Sequence, residues 1–273
     1  MQISPRVEWV AAREAVARAG PRMSALLRSV GNPAAPAVGA WDIAQLAAHV
    51  SHAMDAVTAV AKGGGGLIDD LWGLAGLTTM FVEAETERDL GVLADRIDAS
   101  VAGFVDYMAK AGADDGRTWL VQGVEFPLST VTCHVLNELV VHGRDIALAD
   151  GQRWPIAPGD AALIIDGFIF QVLRALGPSM VDQEAARGVR VTYDIRVKGG
   201  ERTQFRFHDG DLVVTPGPPT GRVDCHLLVD PVAFLLVTWA RISQWDAIPK
   251  GKLLAWGRKP WMGMKLRSLV KNP

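Results

Sequence analysis

Apolar side chains recur at three- and four-residue steps through the first half of this chain, most regularly between Ser129 and Asp150. At 3.6 residues per turn, Val131, Val135, Leu139 and Ile146 gather on one side of a helix, with Leu136, Val140 and Ala147 on a second apolar flank. Pro127 suits the first turn and Gly151 the stop. A strip of Thr130, Cys133, Asn137 and Arg144 is left for solvent. Through the buried side runs a polar line, His134, Glu138, His142 and Asp145, whose burial unpaired would cost several kcal/mol. Such a line needs a partner, and a metal ion would be one.

The same period predicts three more long helices. One covers Val7 to Val30, with Gly20-Pro21 expected to kink or split it. Another runs from an Asp42 N-cap to Lys62, with a core stripe of Ile43, Leu46, Ala47, Val50, Met54 and Val57. The third covers Thr86 to Ala111. Four long helices with mostly short connections make a bundle, where sites are built from inward-pointing residues on facing helices. His49 lies at the edge of its stripe and points inward, whereas His52, almost opposite Val50, is expected to face water. Leu67 to Phe81 is apolar, rich in glycine and too broken for one helix. It reads as a packed connection, with a flap over a site as the functional alternative. A short hairpin is expected around Trp119 to Phe126.

After Trp154-Pro155 the pattern changes. Asp160 to Leu176 is a helix apolar nearly all round. Alternation then predicts strands at Val189 to Lys198, Thr203 to His208, Leu212 to Thr215 and Asp224 to Val229, with Gly199-Gly200 and Asp209-Gly210 as hairpin turns. A helix from Pro231 to Ile242, an extended Leu253 to Trp256 and a helix from Trp261 to Val270 follow. The fold class expected is therefore α + (α+β): a four-helix bundle over residues 1–155 and an α+β domain with an antiparallel sheet over 156–273.

Composition adds boundaries. At 273 residues the chain exceeds the usual single domain, and 49% hydrophobic with 21% charged residues is ordinary for a globular protein. A net charge of -2 gives no electrostatic case for nucleic acid or anionic membranes as partners. Two cysteines, Cys133 and Cys225, are too few for a disulfide framework. Met1 to Pro5 lead straight into a charged helix without a signal peptide, and no apolar run is read as long enough to span a bilayer. The expectation is a cytoplasmic protein, monomeric or homodimeric.

Glu138 and His142, four residues apart, emerge from neighbouring turns of one face and can reach one ion. His49 from another helix would complete a triad with an open fourth position, and Asp145 would orient a ligating imidazole. The alternative on pattern alone is a buried polar network of His134, Glu138 and His142. Cys133 has no basic cluster nearby to activate it, His208 and His226 sit in strands as structural residues, and Gly63 to Gly66 lacks the lysine of a phosphate loop.

Trp41-Asp42-Ile43 through His49, with Glu138-Leu139-Val140-Val141-His142-Gly143-Arg144-Asp145, resembles the paired segments of the DinB-like, mycothiol-dependent maleylpyruvate isomerase family. The resemblance implies His49, Glu138 and His142 as ligands of zinc or a similar divalent metal. Residues Phe205 to Thr215, Asp230-Pro231, Ala240-Arg241 and Gly251-Lys252-Leu253 resemble an SCP2-like (sterol carrier) domain. Relatives use a C-terminal arginine to hold an acidic substrate, which implies Arg241 in that catalytic role, with Arg258 second. Many relatives have glycine where this chain has Ala240, a departure that puts maleylpyruvate itself in question as the substrate, and an ordinary salt-bridged arginine stands as the alternative for both Arg241 and Arg258. The activity implied is a mycothiol-dependent isomerase or S-transferase, in which a metal-held thiolate attacks an electrophilic small molecule. A carrier of lipid or another apolar ligand, and a metal-dependent hydrolase, stand as alternatives.

Overall fold

The computed structural model describes residues 5–271. The expectation for the opening Met1 to Pro5 stretch falls mostly on residues 1–4, outside the described residues. Contacts divide the chain after Pro155 into two compact units, each described by itself.

The first unit is a helix bundle of α1 (Pro5–Ser29), α2 (Ile43–Ala61), α4 (Leu90–Met108) and α5 (Leu128–Ala149), with a shorter α3 (Leu74–Ala84) on α2. The long helices touch in the order α1, α4, α2, α5 and back to α1, so α2 and α5 are neighbours across one wall. Helix α2 starts where its chemistry says it should. The Asp42 side chain accepts from Gln45 N while the Gln45 side chain accepts from Asp42 N, a reciprocal capping box. Asp89 caps α4 in the same sense by accepting from Gly91 N and Val92 N.

Pro21 does not split α1, which continues through it. Gly20 lies against α4, where a Cβ would stand 2.6 Å from Val101, so this glycine serves close helix packing. Leu74 to Ala84 is a helix, which corrects the reading of that stretch as an irregular connection. The sequence of four glycines turns the chain from α2 towards α3. Gly63 and Gly66 take φ of 98° and 76°, and a side chain on Gly65 would collide with the Thr118 carbonyl. Two short hairpins, β1 (Pro36–Val38) with β2 (Trp41–Asp42) and β3 (Gly116–Thr118) with β4 (Glu125–Pro127), lead into α2 and α5.

In the second unit, α6 (Pro158–Ile164) runs through a π-helical turn at Ile165–Ile169 into α7 (Phe170–Met180). Contrary to the sequence reading, Pro158–Met180 is long and apolar enough to cross a membrane by length and composition. The most apolar stretch is 56% buried within the protein, as in a core helix. A five-stranded sheet follows in the order β7 (Asp211–Pro216), β6 (Arg202–His208), β5 (Arg190–Val197), β8 (Cys225–Val229), β9 (Leu253–Trp256). It is antiparallel at every pair except β5–β8, which is parallel, so the antiparallel sheet expected carries one parallel pair. Asp209 and Gly210, at φ 52° and 91°, form the tight β6–β7 turn. Helices α8 (Pro231–Thr238), α9 (Gln244–Ala247) and α10 (Met262–Leu269) complete the unit.

Candidate metal centre

Helix α5 carries two of the three candidate ligands and is the most enclosed element of its unit, with 16 of its 22 residues buried. Thr130, Cys133 and Asn137 are among them, which corrects the expectation that they face solvent. With α1 on one side and α2 on the other, α5 has little solvent face to offer. Beside His142 the helix needs glycine, because a side chain on Gly143 would collide with the Trp154 ring. That indole donates to the Val140 carbonyl at 3.1 Å and so lies fixed along the helix.

From α2, His49 reaches the same point. Its ring stands edge-on to that of His142, centroids 4.9 Å apart and planes at 88°, with the Trp41 ring 5.3 Å away. His49 Nε2 and His142 Nε2 each lie 3.4 Å from Glu138 Oε2. One donor atom from each of His49, Glu138 and His142 falls within 4.8 Å of the other two. Two donors on a tetrahedral ion, at bonds of ~2.1 Å, lie about 3.4 Å apart, so these side chains have the donor types and spacing of a zinc-like site.

The surroundings hold the three in place. His142 Nδ1 faces Asp145 Oδ2 at 3.3 Å, leaving Nε2 for the centre. The Trp119 indole donates to His134 Nδ1 at 3.2 Å, which assigns the His134 proton to Nε2, 3.5 Å from Glu138 Oε1. His134 thus grips the other carboxylate oxygen and is not one of the cluster. Asn137 Nδ2 also donates to Oε1 at 3.2 Å.

Charge follows the geometry. Burial works to raise the Glu138 pKa, but His134, His142 and His49 outweigh it and hold the carboxyl well below its usual range. Burial likewise pushes the His142 imidazole down, yet Asp145 and Glu138 overcome this and draw it up to about 9. For His49 burial wins: its pKa falls despite Glu138, and the neighbouring His142 lowers it further. One carboxylate and one readily neutral imidazole therefore stand beside a second imidazole that a cation would have to strip of its proton.

His52 was missed by the sequence reading. It is half-buried and lines a cavity of about 390 Å³ together with His49, His134 and Glu138. Its Nε2 is 3.3 Å from Glu85 Oε2, which Arg96 also contacts at 2.9 Å, and its ring stacks on Phe81 at 5.8 Å. The signal was available, since residues three apart on a helix diverge by only about 60°.

In the second unit, Arg241 follows α8 and donates to the Trp239 carbonyl at 2.8 Å. Ala240 before it adopts φ 55°, with Arg241 N on Leu236 O at 2.8 Å and Ala240 N on Val237 O at 3.1 Å. These are the two hydrogen bonds of a Schellman cap, whose left-handed residue is usually glycine. Arg258 is tied to Asp224 at 2.8 Å. Neither cysteine presents an activated thiol: both are buried, and burial pushes Cys225 up to about 11. A separate apolar cavity of about 80 Å³ lies among Phe170, Phe205, Leu227, Phe234 and Leu266.

Residues 13–147 match the family described as Mycothiol maleylpyruvate isomerase N-terminal domain. Among solved structures, a point variant of the mycothiol-dependent maleylpyruvate isomerase aligns over 93% of this chain and 93% of its own, at 14% identity and a TM-score of 0.50. The mycothiol-dependent maleylpyruvate isomerase itself aligns over the same shares at 13% identity and 0.43. Sterol Carrier Protein 2 from Yarrowia lipolytica aligns over 38% of this chain and 88% of its own, at 20% identity and 0.31. A comparison with curated proteins gives no match. At 14% identity and a TM-score of 0.50, the likeness to the first of these is one of fold.

Proposed function

Because residues 13–147 match the Mycothiol maleylpyruvate isomerase N-terminal domain family, we propose that this chain is a metal-dependent enzyme joining a low-molecular-weight thiol, mycothiol, to a small electrophile, as an isomerase or an S-transferase. The observation that carries the reading is the triad of His49, Glu138 and His142, spaced for a tetrahedral ion, with His49 and Glu138 lining a cavity. A divalent ion bound there, zinc above all, supplies a Lewis acid that makes a coordinating thiol ionise near neutral pH.

The chain's own part is positional. Glu138 brings negative charge, His134 and Asn137 hold its second oxygen, and Asp145 keeps the His142 ring turned with Nε2 towards the centre. With Cys133 and Cys225 both buried, an external thiol is the natural nucleophile. Arg241 is proposed to offer its cation to an anionic group of substrate or cosubstrate. Arg241→Ala should then raise KM or lower turnover about tenfold, the loss of one charge-assisted hydrogen bond, with metal content unchanged.

The test begins with elemental analysis of purified protein and continues with cobalt in place of the native ion. Titration with mycothiol should give a near-ultraviolet charge-transfer band, absent in His49→Ala. Ester or amide hydrolysis without such a band would make the protein a hydrolase, with water at the open position. The apolar cavity of the C-terminal unit supports a second reading, an apolar ligand carried there, which lipid extraction from purified protein would reveal.

A further inference from the structure

The cavity above the triad has a lining that selects among electrophiles. Among the described residues that line it there is no lysine or arginine. Its acidic groups are Glu138 at the floor and Asp55, an exposed residue, at the mouth, and these two charges already match one divalent cation. A dicarboxylate entering this space would lose hydration with no side-chain cation to replace it, at a cost that a buried unpaired charge cannot recover.

Helix α3 points to what belongs there instead. Leu74, Leu77, Thr78 and Phe81 stand at i, i+3, i+4 and i+7 and all line the cavity. They form the apolar stripe by which such a helix normally packs on a core. Here the stripe packs on a cavity: of the helix's 11 residues only Val82 is buried. Val57, Leu67 and Leu120 extend the same apolar surface. At about 390 Å³ the space is within the range of small-ligand sites.

Resting on the thiol-transfer reading above, we propose that this cavity binds an uncharged electrophile with an apolar body, held along α3 with its reactive carbon towards the triad. In a substitution, the thiolate electron pair forms the S–C bond. The bond to the leaving group breaks, the leaving group departs with its pair as an anion, and the thiol proton passes to water. No oxidant or reductant is needed.

The experiment offers zinc-loaded full-length protein and mycothiol two probes, neutral monochlorobimane and dianionic maleylpyruvate, and compares kcat/KM. The bimane should be preferred about tenfold or more, a modest discrimination for a shaped pocket. Leu77→Lys, which sets a cation among the half-buried α3 side chains, should cut bimane turnover by a similar factor and narrow the preference. Metal content and the cobalt–thiol band of that variant should stay as in the parent, which shows that it folds. Preferred use of maleylpyruvate, or bimane turnover indifferent to Leu77→Lys with the band intact, would overturn the inference while leaving thiol chemistry standing. Absence of both the band and turnover of either probe would overturn the thiol reading and this inference with it.

Discussion

A single side chain at the centre is decided by what stands behind it. His142 presents Nε2 to Glu138 because Asp145 takes Nδ1, whereas His52, one turn further along α2 than His49, has its Nε2 3.3 Å from Glu85 Oε2 and away from the triad. His142→Ala should therefore purify with little metal and His52→Ala with a full complement; equal content in the two would remove the ligand assignment. Sequence alone made Glu138, His142 and His49 visible, since spacing and wheel position are local properties. It misplaced His52 and Cys133 because a helical wheel cannot tell how many neighbours a helix will acquire. Ala240 is legible only in three dimensions. It occupies the left-handed position of a Schellman cap without being glycine, at a cost of roughly 1 kcal/mol. Ala240→Gly should accordingly stabilise the protein in denaturant titration, by somewhat less than about 1 kcal/mol because glycine also frees the unfolded chain.

Elements were easiest to read where one period ruled. The capped α2 and the strand β9, Leu253–Trp256, fall where the pattern put them. Helix α3 did not, because Gly73 at its N-cap and Gly76 within it break the local propensity while the apolar stripe, Leu74 to Phe81, faces a cavity and so lacks polar alternation. The parallel pairing of β5 with β8 was beyond local reading, since register between distant strands leaves no local mark. That pairing sets up the polar hub of the sheet. Asp194 on β5 stands opposite His226 on β8, while Arg196 and Arg202 oppose each other across β5 and β6. The two arginines would repel, and the fully buried Asp194 carboxylate binds both, at 3.0 and 2.6 Å, with His226 at 2.7 Å. Burial would raise the Asp194 pKa, but Arg202, His226 and Arg196 hold it at about 2, below its ordinary 3.8. A depressed carboxyl stabilises above its unfolded pKa and loses that contribution as pH falls through the folded value. Roughly 2 kcal/mol should therefore vanish between about pH 4 and pH 2. Acid titration of Asp194→Asn, followed by circular dichroism, should show a lower starting stability and a shallower loss across that window.

At the scale of the whole molecule, the bundle's donors come from two helices far apart in sequence, so an ion bound to them binds the folded bundle and hardly the unfolded chain. Zinc at a hundred times its dissociation constant should then stabilise the bundle by about 2.7 kcal/mol, and a chelator should remove that gain reversibly. The size of the gain must depend on pH, with a sign that follows from His142. Without metal its folded pKa of about 9 lies above the ordinary 6.5. The imidazolium's own contribution to stability is therefore full below about pH 6.5 and is lost as pH rises through about 9. Zinc must displace that proton to reach Nε2, so its apparent affinity should climb towards about tenfold per pH unit between those limits and level off above them. At a fixed total zinc concentration, the zinc-induced rise in melting temperature should be larger at pH 8.5 than at pH 6.5. In His142→Ala both the rise and its pH dependence should disappear. A zinc shift that was the same at both pH values would mean that the ion binds without displacing the His142 proton, and the triad would have to be reassigned.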